Sequence, residues 1–228
     1  MKRIRLTGLV SVAIMAVALA VASAAVSAPE FKPSSKVVLL GTSGTSTLTA
    51  GNTTERLECQ ADTSTGEISS TTLAGNIRIH FLNCKGINAT GETCLVKSEG
   101  ASTGNLIITK TLHGLLGLVL GEGTSSASDV GLLLLPGSGK QFASLEASCL
   151  AGGATVVAGL LAGLLEPIGK SAKTAKLVFT TKECKEAIRD IDVSGGSLVL
   201  PKLTAFSTEA TEQATELVTF DGSELEVT

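Results

Sequence analysis

The 228-residue chain has no Trp and no Tyr, and only six Phe, five Pro, five Cys and two His. With so few aromatic rings it lacks the flat platforms on which sugar sites usually rest. With only His80 and His113 it has little imidazole for acid–base work or metal binding. Charged residues make up 17% of the chain and the net charge is −3, while 43% is hydrophobic. That balance excludes a disordered chain and supplies enough apolar surface for a sizeable core.

The N-terminus reads as a secretory leader. Lys2, Arg3 and Arg5 precede an uncharged apolar run over 6–21, and Ala22-Ser23-Ala24 supplies the small residues of a cleavage site. A second such site, Val26-Ser27-Ala28, would leave Pro29 in the rejected position after the scissile bond. The expected division is a helical signal peptide over 1–24 and one β-rich domain over 25–228. Losing the leader's three bases lowers Lys and Arg from 18 to 15 against 21 acids, a net of −6. Glu209, Glu212, Glu216, Asp221, Glu224 and Glu226 crowd the last 20 residues without a base. This charge repels a phosphate backbone, so nucleic acid is not an expected partner.

An exported chain meets an oxidising environment, so Cys59, Cys84, Cys94, Cys149 and Cys184 are disulfide candidates. Five choices of the odd cysteine and three pairings of the rest give 15 schemes. The short, Gly- and Asn-containing loop between Cys84 and Cys94 suits a hairpin, which favours that pair first and Cys59 with Cys149 second. Cys184, in K-E-C-K-E, is then unpaired. The competing zinc reading of His80, Cys84 and Cys94 lacks a fourth ligand.

Strand signals dominate what remains. Residues 76–81 alternate, placing Ile77 and Ile79 on one face and Arg78 and His80 on the other. Residues 106–109, 115–120, 130–135, 141–149, 176–181 and 198–203 read as further strands, several separated by Gly-rich breaks such as 121–128 and 136–139. Helix is expected only over 183–188 and 208–217. The fold class is all-β, an antiparallel β-sandwich or barrel-like domain. A weak echo of S-T-G-E-I-S-S-T-T-L-A-G (from Ser64) in S-T-G-N-L-I-I-T-K-T-L-H-G (from Ser102) suggests a duplicated strand-turn-strand unit.

Residues 147–165 are uncharged and contain the small-xxx-small pair Gly159 and Gly163, so a single helical membrane span is an alternative. Four glycines weaken that helix. Two strands turning at Gly152-Gly153 is the preferred reading, and membrane is not an expected partner after leader cleavage.

Complete catalytic motifs are missing. No G-x-S-x-G surrounds a serine, and G-S-G-K (137–140) and G-K-S (169–171) look like phosphate loops but lack the upstream glycine. Asp190 and Asp192 could share one side of an extended segment facing Ca²⁺, without the rest of a calcium loop. No catalytic, metal or cofactor residue is assigned, and no cofactor is expected. A hydrolase with an unrecognised site, including a paired-carboxylate one, stays as an alternative.

L-E-C-Q-A-D-T-S-T-G-E-I at Leu57, I-R-I-H-F-L-N-C at Ile77, D-V-G-L-L-L-L-P with F-A-S-L-E-A-S-C, and the terminal G-S-E-L-E-V-T resemble a family of exported proteins of unknown function from high-GC Gram-positive bacteria. The resemblance runs from about Phe31 to the end. It implies a signal peptide, a β-rich fold, no known activity, and Cys59, Cys84, Cys94 and Cys149 as the usual cysteines, with Cys184 a departure. The expectation is a non-catalytic binding or structural module at the cell surface or in the medium, with an unidentified ligand.

Overall fold

The computed structural model describes residues 27–32, 36–51, 53–120, 129–150, 154–193 and 197–228. The expected leader over 1–24, the 121–128 break and Gly152-Gly153 fall outside them.

The chain runs up and down through eight staves. The first, 37–50, joins Val37–Ser43 to Ser46–Ala50; the second, 56–68, joins Arg56–Cys59 to Ala61–Ile68. One register spans both staves, from Val37 opposite Ile68 to Thr49 opposite Arg56. The third stave joins Leu73–Leu82 to Lys85–Ile87. The fourth joins Thr93–Lys97 to Ile107–Ile108 and Leu112–Leu120, with an excursion over 98–106. The fifth joins Val130–Pro136 to Gln141–Ala147 around a bend at 137–140, and the sixth joins Ala154–Gly159 to Leu161–Glu166. The seventh joins Thr174–Phe179 to Leu203–Ala205 across a long excursion, 180–202. Thr208–Phe220 is the eighth.

These staves close on themselves at two levels. In the lower ring each stave pairs antiparallel with the next, and the eighth returns to the first through Leu39 opposite Phe220. The upper ring closes in the same order, ending with Ala50 opposite Ala210. The all-β expectation therefore holds, and the architecture is a closed antiparallel barrel in which every stave pairs with a neighbour on both sides.

Alternation along the staves fills the interior. Leu39, Leu48, Ile68, Ile77, Ile79, Leu112, Leu116, Leu132, Leu134, Phe142, Leu145, Leu161 and Leu177 belong to one buried cluster. Each such side chain removed from water stabilises by roughly 1.5–3 kcal/mol. Phe31–Lys32 pairs with Glu226–Val227, and Phe31, Leu225 and Val227 join the same core. Phe31 N–H donates to the Thr71 carbonyl and Gly169 N–H to that of Val227, which fixes this cap to two lower turns.

Part of the 180–202 excursion covers the outside of the wall. Asp190–Val193 pairs with Gly117–Leu120 of the fourth stave and with Ser197–Val199. Ile188, Ile191 and Val193 then bury Val119, Leu133 and Ala162 in a second apolar cluster. The unbroken run Val130–Leu135 follows from this: Val130, Leu132 and Leu134 face the interior, while Leu133 faces the covering strands.

Several expectations need correction. Residues 208–217 form a strand, because Ala210, Glu212, Ala214 and Glu216 all face inward and Thr211, Thr215 and Thr219 suit a pleated wall. Residues 183–188 include a tight hairpin, Thr181–Lys182 against Lys185–Glu186, with Glu183 and Cys184 at φ 54° and 59°. Residues 147–165 contribute the end of the fifth stave and nearly all of the sixth, so no helical span forms there. Among the described residues no helix is long and apolar enough to cross a membrane. Residues 198–203 divide between two strands on either side of Pro201. The echo spans two staves in its first copy and lies along one descending stave in its second.

The disulfides use the four expected cysteines with different partners. Cys59 joins Cys84 and Cys94 joins Cys149, leaving Cys184 free and exposed. Register explains the correction. In the hairpin it is Gly86, not Cys84, that faces Cys94. Extending the ladders puts Cys59 opposite Cys84 and Cys94 opposite Cys149. Each bridge staples two neighbouring staves, and the zinc reading is overturned because both its thiols are oxidised. Two disulfides suit an oxidising, extracytoplasmic compartment.

Candidate functional site

Two places on the barrel gather polar chemistry. The first is on its outside, where the fourth and fifth staves both leave the ladder at the same level. The 98–106 excursion and the 137–140 bend wall a groove of about 670 Å³. Arg78, Lys110 and His113 bring basic side chains to it, Glu99 brings one acid, and Thr111, Ser138, Gln141 and Ser144 add donors and acceptors. Gly137 is packed so closely that a Cβ there would lie 3.2 Å from His113 Nε2. Arg78 donates to Thr111 Oγ1 at 3.5 Å, and Ser144 Oγ accepts from Glu99 N–H at 3.2 Å. The G-S-G-K turn and His113 thus meet in one groove, although neither carried a motif. His80 pairs with Thr63 and Ile108 on the third stave. Among the described residues neither histidine is hydrogen-bonded to a hydroxyl or a carboxylate. Asp190 and Asp192 do share one side of their strand, with Ile191 buried opposite. Among the described residues no group of three or more His, Cys, Asp or Glu is arranged to hold a metal ion.

The second place is inside. Asp62 on the second stave and Glu212 and Glu216 on the eighth point into the barrel and line a cavity otherwise walled by Ser46 and by Leu48, Ile79, Phe142 and other apolar side chains. The cavity leaves about 50 Å³ open to the centres of water-sized spheres. That is a third of the ~150 Å³ that accommodates benzene in an engineered core, and enough for water. Asp62, Glu212 and Glu216 are 4%, 7% and 5% exposed.

Local sequence makes this possible. Ser43 faces both Asp62 and Glu216 across its two ladders, and its hydroxyl donates to the Asp62 carboxylate. Ser64 donates to Glu216, reaching across the first stave at Gly41. A Cβ at Gly41 would collide with both of those side chains, so glycine is required there for space. Among the described residues Asp62 Oδ1 and Glu212 Oε1 find no hydrogen-bond partner.

The wall beside Glu212 is also unusual. The seventh stave is interrupted between Phe179 and Leu203. Across from that break the Glu212 N–H donates to Glu186 Oε1 at 2.8 Å, a carboxylate standing in for a ladder carbonyl. Glu186 lines a small outer cleft with Ile188, Pro201, Lys202 and Glu209. It therefore lies between that cleft and the interior acids.

Burial sets the protonation of these groups. It pushes Glu216 up to about 7, with Ser64 opposing and Asp62 adding to the rise. It pushes Glu186 to about 7 as well, opposed by the bond from the Glu212 backbone and aided by Glu209. Glu212 is raised well above the ordinary carboxylate range by burial and then by the charges of Glu186 and Asp62. Burial raises Asp62, against the Ser43 hydrogen bonds.

In the sequence Glu212 and Glu216 count only among the six acids of the last 20 residues, within a stretch expected to be helical. The signal available was the alternation of Ala and Glu with Thr over 210–216, which is a strand period. Compared with known proteins, the chain matches no family model, no curated sequence and no solved structure.

Proposed function

We propose that this chain is an exported, non-catalytic binding protein that holds a small anionic solute, one bearing a carboxylate or phosphate, in the groove between the 98–106 and 137–140 excursions. The observation carrying this reading is the groove itself: two wall excursions on a disulfide-stapled barrel place Arg78, Lys110 and His113 around one polar hollow. Loops held by a rigid scaffold are where binding residues collect, and a guanidinium is suited to bidentate contact with carboxylate or phosphate. Export is supported by the leader pattern, the two disulfides and the resemblance to exported proteins of high-GC Gram-positive bacteria. The site of action is then the medium or the cell envelope.

Two measurements test this. Native protein from the medium, alkylated and weighed without reduction, should have the mass of 25–228 less four hydrogens and with one alkylated thiol. Recovery only from detergent extracts, with several thiols modified, contradicts export as a soluble protein. Titration with glucuronate, galacturonate and glucose 6-phosphate, with glucose as the neutral control, should show binding that Arg78→Ala with Lys110→Ala abolishes. Equal binding of glucose, or no binding of any anion, removes the groove as the site.

A further inference from the structure

We propose that the barrel interior is a second binding site, for a small organic ammonium ion whose charged head lies among Asp62, Glu212 and Glu216 and whose methyl or ethyl body rests on the apolar wall. Three acids face one cavity, and among the described residues its lining contains no Lys, Arg or His. Asp62 Oδ1 and Glu212 Oε1, on side chains more than nine-tenths buried, face it without a hydrogen-bond donor. A buried acceptor left without a donor is costly, and an ammonium N–H group supplies donors and charge together.

The rest of the lining selects the ligand's body. Leu48, Leu57, Ile79, Phe142 and Leu145 offer apolar surface to an alkyl body, Ser46 adds one hydroxyl, and about 50 Å³ rejects anything as large as an aromatic ring; among the described residues no group of three or more His, Cys, Asp or Glu is arranged to hold a metal ion. Methylammonium and ethylammonium fit this description. At the interrupted seventh stave the Glu212 N–H is held by the Glu186 carboxylate, and the cleft outside it is lined by Lys185, Arg189 and Lys202 as well as by Glu186 and Glu209.

Binding should be linked to protons. The acids facing the ligand are Asp62, Glu212 and Glu216, with Glu186 and Glu209 behind the wall in a cleft that also holds Lys185, Arg189 and Lys202. A cation favours their ionised forms, so each ammonium ion bound near pH 6.5 should release about one proton to the buffer.

The test is calorimetric titration of the full mature protein with methylammonium chloride in buffers of different ionisation enthalpy. Sodium chloride and methanol serve as controls. The expected result is saturable binding with a Kd of about 5 mM or weaker, the range open to a ligand with two non-hydrogen atoms. It should carry proton release, weaken at least tenfold at pH 5, and vanish in Glu212→Gln with Glu216→Gln. Gln keeps the shape of the acid and should leave the barrel folded, which circular dichroism checks. The wild-type pH series tests the idea without any variant. Absence of binding, binding of methanol to the same degree, binding without proton release, or full retention in the double variant would each overturn the proposal.

Discussion

Opposite walls of this barrel solve burial differently. The wall of the fourth to sixth staves is apolar on both faces, with Leu116, Leu132, Leu134 and Leu161 inward and Val119, Leu133 and Ala162 outward under the covering strands. The wall of the eighth, first and second staves turns Glu212, Glu216, Asp62 and Ser64 inward, with exposed threonines such as Thr42, Thr63 and Thr215 outside. One wall contributes stability through transfer from water, at any pH. The other stores chemistry at a cost that depends on pH. Two cross-strand bridges staple neighbouring staves in the upper part of the same barrel, which can hold such a costly interior in place.

The largest effect should come from the apolar wall. Leu134→Ala leaves a cavity beside a residue that is 1% exposed, at a cost of about 2–5 kcal/mol. Urea unfolding at pH 4.5 and at pH 7.5 should give the same loss. A loss that changes with pH would mean that the two walls are not independent.

Next is the acid wall. Glu216 has its proton-binding midpoint raised to about 7 in the folded chain, against an unfolded value of 4.5. Its stability contribution is therefore complete below about pH 4.5 and is lost as pH rises to about 7, on the order of 3 kcal/mol. Glu186, raised to the same value, acts in the same direction. The wild-type protein should be more stable at pH 4.5 than at pH 7.5, and Glu216→Gln should flatten that slope by about 3 kcal/mol. An unchanged slope in the variant contradicts the burial of this carboxyl.

Gly41→Ala tests the space between the two. Its Cβ would collide with Glu216 and Ser64, so overpacking should cost about 1–3 kcal/mol. Combining it with Glu216→Ala should recover part of the loss, and strict additivity would show that the clash is relieved elsewhere. The smallest effect belongs to the outer groove. His113→Ala should move stability by less than about 0.5 kcal/mol, because its ring contacts a turn and carries no hydrogen bond in the structure. A larger loss would make the groove part of the fold's support rather than a free surface.

The apolar wall was legible in the sequence and the acid wall was not. Strand patterns over 76–81 and 130–135 follow from side chains that announce their own burial, and the alternation of Ile77 and Ile79 with Arg78 and His80 is the observed one. Glu212 and Glu216 announce the opposite, because an acid is presumed solvated until its partners are known. Those partners, Ser43, Ser64 and the space at Gly41, lie far away in sequence. The same distance hid the disulfide pairing: a short loop favoured Cys84 with Cys94, while register, set by ladders spanning the whole barrel, decided otherwise. The groove escaped notice because its residues share no motif, only a level at which two neighbouring staves leave their ladder.

Carboxyl groups enclosed by this barrel should keep their protons near neutral pH. Carboxyl-¹³C glutamate labelling, with Glu212→Gln and Glu216→Gln used to assign the signals, measures this directly by NMR titration. Glu216 should titrate at about 7 and Glu212 well above the ordinary carboxylate range. If Glu212 and Glu216 instead titrate near 4.5, these side chains are in water and the closed, acid-lined interior is contradicted.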